Sequence, residues 1–208
     1  MALPSTSRVA RALPPLALIL VAITAVAIVA IDQPLARALA DDRPSPIWKD
    51  WLAALDRVTG LTWWKWLPTV VIIAVAVLAQ LAPRLRPWSR GLALVAIVHV
   101  VTKAVLFWSK PGLGRLRPRE WLARGGDTTF GFDGGIAFPS GHTGHYLSIA
   151  LPLAVAWPRL GLPLLIVPIF ASASRLATDS HFLSDLTGGA ALVVALTWLT
   201  ARSLRVAR

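Results

Sequence analysis

Three clusters of polar residues hold most of the groups in this chain that could do chemistry. They are Lys110 with Arg117-Pro118, Pro139-Ser140-Gly141-His142, and Ser174-Arg175 with His181 and Asp185. Together they supply two histidines, one carboxylate and three cations in a chain that is otherwise mostly apolar. Such a concentration of ionisable side chains is typical of a functional site.

The cations of these clusters, together with the start of the second one, suit an anion. Arginine binds phosphate oxygens bidentately and lysine acts as a point charge, so Lys110, Arg117 and Arg175 suit a tetrahedral oxyanion. Ser140 and Gly141 precede an apolar run, and the free N–H groups of a helix beginning there would favour negative charge. Because arginines at a membrane interface are common, it is the nearby histidines that favour a phosphate site.

The histidines and the carboxylate suit nucleophilic and acid–base chemistry. His181 and Asp185 are four residues apart, and a carboxylate on one imidazole nitrogen fixes the tautomer and leaves the other nitrogen free to attack. His142 is a second imidazole, which can give or take a proton near neutral pH. A metal site formed by these three residues and His145 is the other option, but the neighbouring cations would repel a divalent ion.

At these residues the chain resembles the type 2 phosphatidic acid phosphatase family. The family has three motifs: Lys, six residues, Arg-Pro; then Pro-Ser-Gly-His; then Ser-Arg, five residues, His, three residues, Asp. All three stand in order between Lys110 and Asp185, with no departure at any motif position. The resemblance implies an all-helical membrane enzyme, similar in layout to the family's bacterial branch.

The resemblance also implies a role for each motif residue. His181 would be the nucleophile that forms a phosphohistidine, Asp185 would orient it, and His142 would protonate the leaving oxygen and later activate water. The phosphoryl oxygens would be held by Lys110, Arg117, Ser140, Gly141 and Arg175. The family needs no metal and no other cofactor, so none is expected. Four further ionisable residues match no motif position and take no catalytic role: His99, Lys103, His145 and Asp179.

The elements that must position these residues are apolar. The hydrophobic fraction is 56%, above the roughly 45–50% of soluble domains. The net charge of +11 could suit nucleic acid, but the basic residues lie at the ends of apolar runs rather than in one stripe. That pattern favours a membrane protein and argues against a nucleic-acid partner. With no cysteine, the chain has neither disulfides nor thiolate metal sites.

Apolar runs predict the fold class. We expect an all-α bundle of six transmembrane helices forming one membrane-embedded domain over residues 1–208. The predicted spans are residues 13–31, 66–82, 91–108, 141–157, 160–178 and 186–201. The first run could instead be a signal peptide cleaved near residues 36–38, but its length favours a retained helix. Lys103 lies within the third span, one turn from His99, and either lines a pocket or extends to the interface.

The connections between these spans carry further predictions. Residues 32–65 are polar, and Pro34, Pro44 and Pro46 should interrupt any helix there. Inside that segment, residues 47–58 have helical periodicity and predict a short amphipathic helix, lying on the membrane surface or packed on the outer end of the bundle. Residues 109–137 predict a long loop rich in Gly and Arg.

Charge predicts the orientation in the membrane. If both termini are cytoplasmic, the cytoplasmic segments contain no acidic residue, and all 10 acidic residues fall on the other side. An excess of basic residues inside is the usual bias of membrane proteins. The three clusters then converge at the outer face. The basic residues assigned to the inside are Arg8, Arg11, Arg84, Arg86, Arg90, Arg159, Arg202, Arg205 and Arg208.

Together these observations predict a multi-pass phosphatase of the bacterial inner membrane that acts on a lipid phosphate or diphosphate at the outer face. Undecaprenyl diphosphate, phosphatidylglycerol phosphate, phosphatidate and the phosphates of lipid A stay open as substrates, and so does the oligomeric state. Three alternatives are a lipid phosphotransferase, an oxidative enzyme like the related vanadium haloperoxidases, and a non-catalytic anionic-lipid-binding protein. Binding alone would not need two imidazoles, which counts against the last.

Overall fold

A computed structural model describes residues 6–41, 45–126 and 130–206, and this part of the chain is helical. It contains 78% helix and no strand, with one isolated bridge between Arg115 and Phe132. The all-α class is therefore confirmed. The helices are α1 Thr6–Val26, α2 Asp32–Asp41, α3 Ile47–Val58, α4 Leu67–Leu81, α5 Ser89–Leu113, α6 Pro118–Ala123, α7 Gly141–Ala156, α8 Pro158–Leu164, α9 Ile166–Ala177 and α10 Leu183–Ser203.

Four helical stretches of the described chain are long and apolar enough to cross a membrane: Arg8–Ala40, Arg86–Leu113, Pro158–Ala177 and Leu183–Ser203. The other two predicted spans correspond to shorter helices. Helix α4 is apolar but has 15 residues, a rise of about 22 Å, and α7 has 16. A hydrocarbon core is about 30 Å thick. Helix α7 begins with polar residues of the second cluster, which shortens its apolar part.

The first span extends further than predicted. A single π-helical turn, Ala27–Ile31, joins α1 directly to α2. The expectation that Pro34 interrupts the helix is wrong, because this residue lies in the first turn of α2, just after the π turn, where the regular hydrogen-bond pattern is already altered. Asp32 therefore sits on a helix and not in a loop. Pro44 and Arg208 lie outside the described residues.

Helix α3 lies against the end of the bundle. Its Leu52 is buried with Tyr146 of α7 and Ala171 of α9. The Ser174 hydroxyl donates to the carbonyl oxygen of Trp48 at 2.6 Å. These contacts fix α3 beside the residues that open α7 and close α9.

The predicted loop over residues 109–137 is partly helical. Helix α5 continues to Leu113 and ends at Gly114, whose φ of +61° closes the helix in the left-handed conformation that glycine adopts readily. The helix tolerates Pro111 because this proline lies in its last turn. Helix α6 then occupies part of the remaining segment.

Helix α7 lies at the centre of the bundle, in contact with α5, α8, α9 and α10. Close approach of α10 depends on a glycine pair. A Cβ on Gly189 would lie 3.1 Å from the carbonyl oxygen of Ser140, and one on Gly188 would lie 2.7 Å from the Phe138 ring. The starts of α7 and α10 therefore meet at one end of the bundle, and the motif residues gather there.

Candidate active site

The pair of His181 and Asp185 forms at the start of α10. The Nδ1–H of His181 donates to Asp185 Oδ2 over 3.1 Å, and the side chains are 4% and 0% exposed. The same Oδ2 caps the helix by accepting from the backbone N–H of Phe182 at 2.9 Å. Burial lowers the pKa of His181 to about 4, although the hydrogen bond to Asp185 acts in the opposite direction. The imidazole is thus neutral at physiological pH.

A buried arginine lies behind this pair. Arg115 Nη1 donates to Asp185 Oδ1 at 2.9 Å, and Nη2 donates to Asp32 Oδ2 at 2.7 Å. Arg115 also donates to the Ser184 hydroxyl, which in turn donates to Asp32. The side chains of Arg115, Asp32 and Asp185 are at most 1% exposed. This network connects the first long apolar helix to the carboxylate that contacts His181.

The backbone at the start of α7 faces the same end. The N–H of Ser140 donates to the carbonyl oxygen of Asp185 at 2.8 Å, and the Ser140 hydroxyl caps α7 by accepting from the N–H of Thr143. Lys110 lies beside the first turn of α7, because a Cβ built on Gly141 would be in ordinary van der Waals contact with its Nζ, at 3.8 Å.

Two of the three motif cations, Lys110 and Arg175, lie near His181, and Arg117 lies near those two. Lys110 lies close enough to Asp185, Arg117 and Arg175 for their charges to interact, and His181 interacts with both Lys110 and Arg175. Lys110 donates to the carbonyl oxygen of Ile136 at 3.0 Å. The Nε of Arg175 is buried and has no hydrogen-bond partner among the described residues. This cluster can therefore receive an anion.

His142 is held by a carboxylate of α3. Its Nε2 lies 3.1 Å from Asp56 Oδ2, and the Tyr146 hydroxyl donates to Asp56 Oδ1 at 2.5 Å. Burial alone would raise the pKa of Asp56, but the hydrogen bonds with His142 and Tyr146 outweigh this effect and lower the pKa below its ordinary value. The carboxylate is therefore ionised beside the imidazole.

The remaining ionisable residues lie deeper in the bundle. His99 contacts the hydroxyl oxygens of Thr69 at 3.0 Å and Ser148 at 2.8 Å, and its ring lies against that of His145. Lys103 lies over the Trp66 ring, 5.6 Å from its centroid. Within the described chain, no group of three or more His, Asp or Glu side chains is arranged to hold a metal ion.

Three residues of this region were missed by the sequence reasoning: Asp32, Asp56 and Arg115. Arg115 lies inside the first motif, in the gap of six residues whose identity the motif leaves open. A charged residue beside a motif was the available signal. The two aspartates stand 83 and 86 residues from their partners, and no sequence pattern predicts pairs that far apart.

Comparison with known proteins identifies the family. Among curated proteins and among solved structures, no match reaches significance. A family model described as the PAP2 superfamily matches residues 88–208, more than half of the chain. That range contains all three motifs and excludes Asp32 and Asp56. The chain therefore belongs to the PAP2 superfamily, the type 2 phosphatidic acid phosphatase family that its motifs resemble.

Proposed function

We propose that the protein is a membrane-integrated phosphatase that hydrolyses a lipid phosphate or diphosphate through a phosphohistidine on His181. PAP2 superfamily membership indicates phosphatase activity on phosphate esters. The observation that carries the proposal is the buried contact between His181 Nδ1 and Asp185 Oδ2. This contact supports the neutral tautomer in which Nε2 keeps a lone pair for attack on phosphorus.

The reaction then takes two steps. In the first, Nε2 of His181 forms a bond to phosphorus, the bond from phosphorus to the leaving oxygen breaks, and His142 gives that oxygen a proton. In the second, His142 takes a proton from water, the water oxygen attacks phosphorus, and the bond to His181 breaks. His142 therefore returns to its starting state, and free phosphate and the dephosphorylated lipid leave.

The phosphoryl group would be held by cations and backbone N–H groups. The holding residues we propose are Lys110, Arg117, Ser140, Gly141 and Arg175. The proximity of Lys110 and Arg175 to His181 supports this assignment, as does the Nε of Arg175, which has no hydrogen-bond partner among the described residues. Preorganised positive charge stabilises the charge that develops on the phosphoryl oxygens during transfer. The cations thus take the part that a divalent ion plays in other phosphoryl-transfer enzymes.

A lipid substrate is supported by an apolar cleft beside the site. The cleft has a volume of about 590 Å³ and lies between α1, α7, α9 and α10. Its lining is largely aliphatic and includes Leu176 and Leu183, which flank His181 in the chain, and Thr143, which follows His142. An acyl or isoprenyl chain lying in this cleft would place its phosphate at the histidines.

The placement that fits these features is a bacterial inner membrane with both termini cytoplasmic and the site on the outer face. We propose that α4 and α7 complete six spans, because each packs along the spanning helix α5. Packing of α1 and α2 into the bundle supports a retained first helix. Periplasmic reporter fusions after Arg124 and Asp179 should be active and one after Arg86 inactive; the reverse pattern would contradict this topology.

Phosphate release from purified lipids tests the proposed function. The purified protein should release free phosphate from at least one member of a panel of lipid phosphates and diphosphates, and excess EDTA should leave the activity intact. Transfer of the phosphoryl group to an added alcohol without free phosphate would instead indicate a phosphotransferase. Absence of turnover across the panel would contradict both the phosphatase and the phosphotransferase. Inactivation by EDTA that one added metal reverses would contradict the proposal that the site works without a metal.

A further inference from the structure

The carboxylate that contacts His142 comes from outside the residues that match the family. Asp56 lies on α3, whereas the family match covers residues 88–208. Its two oxygens are both engaged, one by the imidazole Nε2 at 3.1 Å and the other by the Tyr146 hydroxyl at 2.5 Å. The second motif therefore includes His142 but not the carboxylate that contacts it.

The position of this carboxylate is fixed by neighbouring contacts. The Thr59 hydroxyl lies 3.2 Å from the Tyr146 hydroxyl and 2.9 Å from the Leu55 carbonyl oxygen, to which it donates. Buried Leu52 anchors the same helix on α7 and α9. Because the partner side chains and the helix are each held, the carboxylate has a defined direction towards the imidazole.

We propose that Asp56 is the positioning residue of His142, accepting its Nε2–H so that Nδ1 is the nitrogen that exchanges a proton with the leaving oxygen and with water. This inference rests on the proposed phosphatase function. A carboxylate is an acceptor only, so its contact with Nε2 requires the proton on that nitrogen. The neutral ring then has its lone pair on Nδ1.

The contact also stabilises the charged form of the ring. As general acid, His142 must carry two protons before the first step, and an adjacent carboxylate favours the imidazolium. The proton then passes from Nδ1 to the leaving oxygen as the P–O bond breaks, and a proton from water returns to Nδ1 in the second step. Asp56 stays ionised throughout and transfers no proton.

Other charged and titratable groups face this pair from each neighbouring helix. Arg175 of α9 acts on Asp56, and Lys110 of α5 approaches the residue before His142. His145 of α7 interacts with His142 itself. Of these charged groups, Asp56 is the one whose contact with the imidazole of His142 is direct, at 3.1 Å.

Imidazole ¹⁵N NMR of the full chain in nanodiscs tests the tautomer without relying on activity. Spectra of the wild type and His142→Gln assign the signal of His142. We expect the neutral ring of the wild type to carry its proton on Nε2, and this preference to weaken in Asp56→Asn. A neutral wild-type ring protonated on Nδ1, or an unchanged tautomer ratio in Asp56→Asn, would overturn the inference.

Burst kinetics test the consequence for the proposed reaction. Asp56→Asn should lower the burst rate on a lipid monophosphate by at least about tenfold, a part of the roughly 10²–10⁴-fold that general acid catalysis contributes. The burst on p-nitrophenyl phosphate should stay within about twofold, because p-nitrophenolate leaves without a proton. Asp50→Asn is the matched control, since Asp50 is an exposed residue of the same helix, and it should change neither rate.

A double variant separates positioning from a general structural role. If Asp56 acts through His142, Asp56→Asn should cause no further loss in the His142→Ala background. A further loss there, or equal losses on the two substrates, would overturn the inference. If the wild type hydrolysed no phosphate ester, the proposed function would fail, while the tautomer of His142 would still decide the role of Asp56.

Discussion

The two histidine–carboxylate pairs of this protein differ in origin and in burial. His181 lies just before α10 and Asp185 lies in its first turn, and their side chains are 4% and 0% exposed. His142 and Asp56 come from α7 and α3, and their side chains are 25% and 20% exposed. The first pair is enclosed and backed by Arg115, whereas the second is open to water.

The difference matches two different chemical tasks. A nucleophile must be held in one tautomer and kept neutral, which burial and a fixed carboxylate achieve. A general acid must exchange its proton in every turnover, which needs access to the leaving group and to water. We therefore expect changes in the buried pair to act on every substrate, and changes in the open pair to depend on the leaving group.

Loss of the nucleophile should have the largest effect. His181→Ala removes the atom that forms the covalent bond, so neither a lipid monophosphate nor p-nitrophenyl phosphate should be hydrolysed above background. Phosphate release on both substrates measures this. Retained turnover of either substrate would contradict the claim that the buried pair is needed for every substrate.

Loss of the general acid should be selective. His142→Ala should reduce the burst rate on a lipid monophosphate by about 10²–10⁴-fold, because a lipid alkoxide needs a proton to leave. The burst on p-nitrophenyl phosphate should fall far less. The burst must be measured, since in the proposed reaction His142 also activates water in the second step. Equal losses on the two substrates would show that the roles are assigned wrongly.

Removal of the arginine behind the buried pair should act on stability. Arg115→Ala leaves the carboxylates of Asp32 and Asp185 buried without their partner, which typically costs about 3–5 kcal/mol. Arg124→Ala is the matched control, because the ion pair of Arg124 with Asp133 is more than half exposed and should contribute about 0–1 kcal/mol. Denaturant unfolding in detergent measures the free energy of unfolding of both variants. Equal losses of stability would contradict the claim that the buried network stabilises the fold.

The smallest effect we expect is a pH dependence of stability. Burial lowers the pKa of His181 to about 4, whereas an imidazole in the unfolded chain titrates near about 6.5. Between these values the unfolded state binds more protons, so stability falls as pH falls through this window. Stability of the wild type should thus fall more steeply than that of His181→Gln from pH 6.5 to 4. Parallel curves would contradict a neutral, buried His181.

The sequence predicted the pair of His181 and Asp185. It did not predict Asp56, which contacts His142, or Asp32 and Arg115, which lie behind Asp185. Asp185 was found because it follows His181 by four residues, as in the third motif. Asp56 and Asp32 reach the site only because α3 docks on α7 and α9 and because α1 continues into α2. Such contacts depend on tertiary packing, which apolar periodicity does not encode. Reading Pro34 as a helix break also placed Asp32 in a loop, away from the site.

The membrane layout was predicted only in part for a related reason. The long apolar runs of the sequence correctly predicted the four helical stretches that are long and apolar enough to cross a membrane. Residues of α7 serve the site as well as the bundle: its first turn carries Gly141 and His142, and its interior carries buried His145. A helix that carries polar site residues is less apolar overall than a helix that only crosses the membrane.

Trapping the phosphoenzyme tests the central claim most directly. The purified protein is mixed with a lipid substrate labelled with ³²P in its phosphate and quenched within the burst. We predict an alkali-stable, acid-labile label that maps to His181 and is absent from His181→Ala. His142→Ala should still form the phosphoenzyme when labelled p-nitrophenyl phosphate is the substrate. Label on any other residue, or a phosphoenzyme that persists in His181→Ala, would contradict the assignment of His181 as the nucleophile.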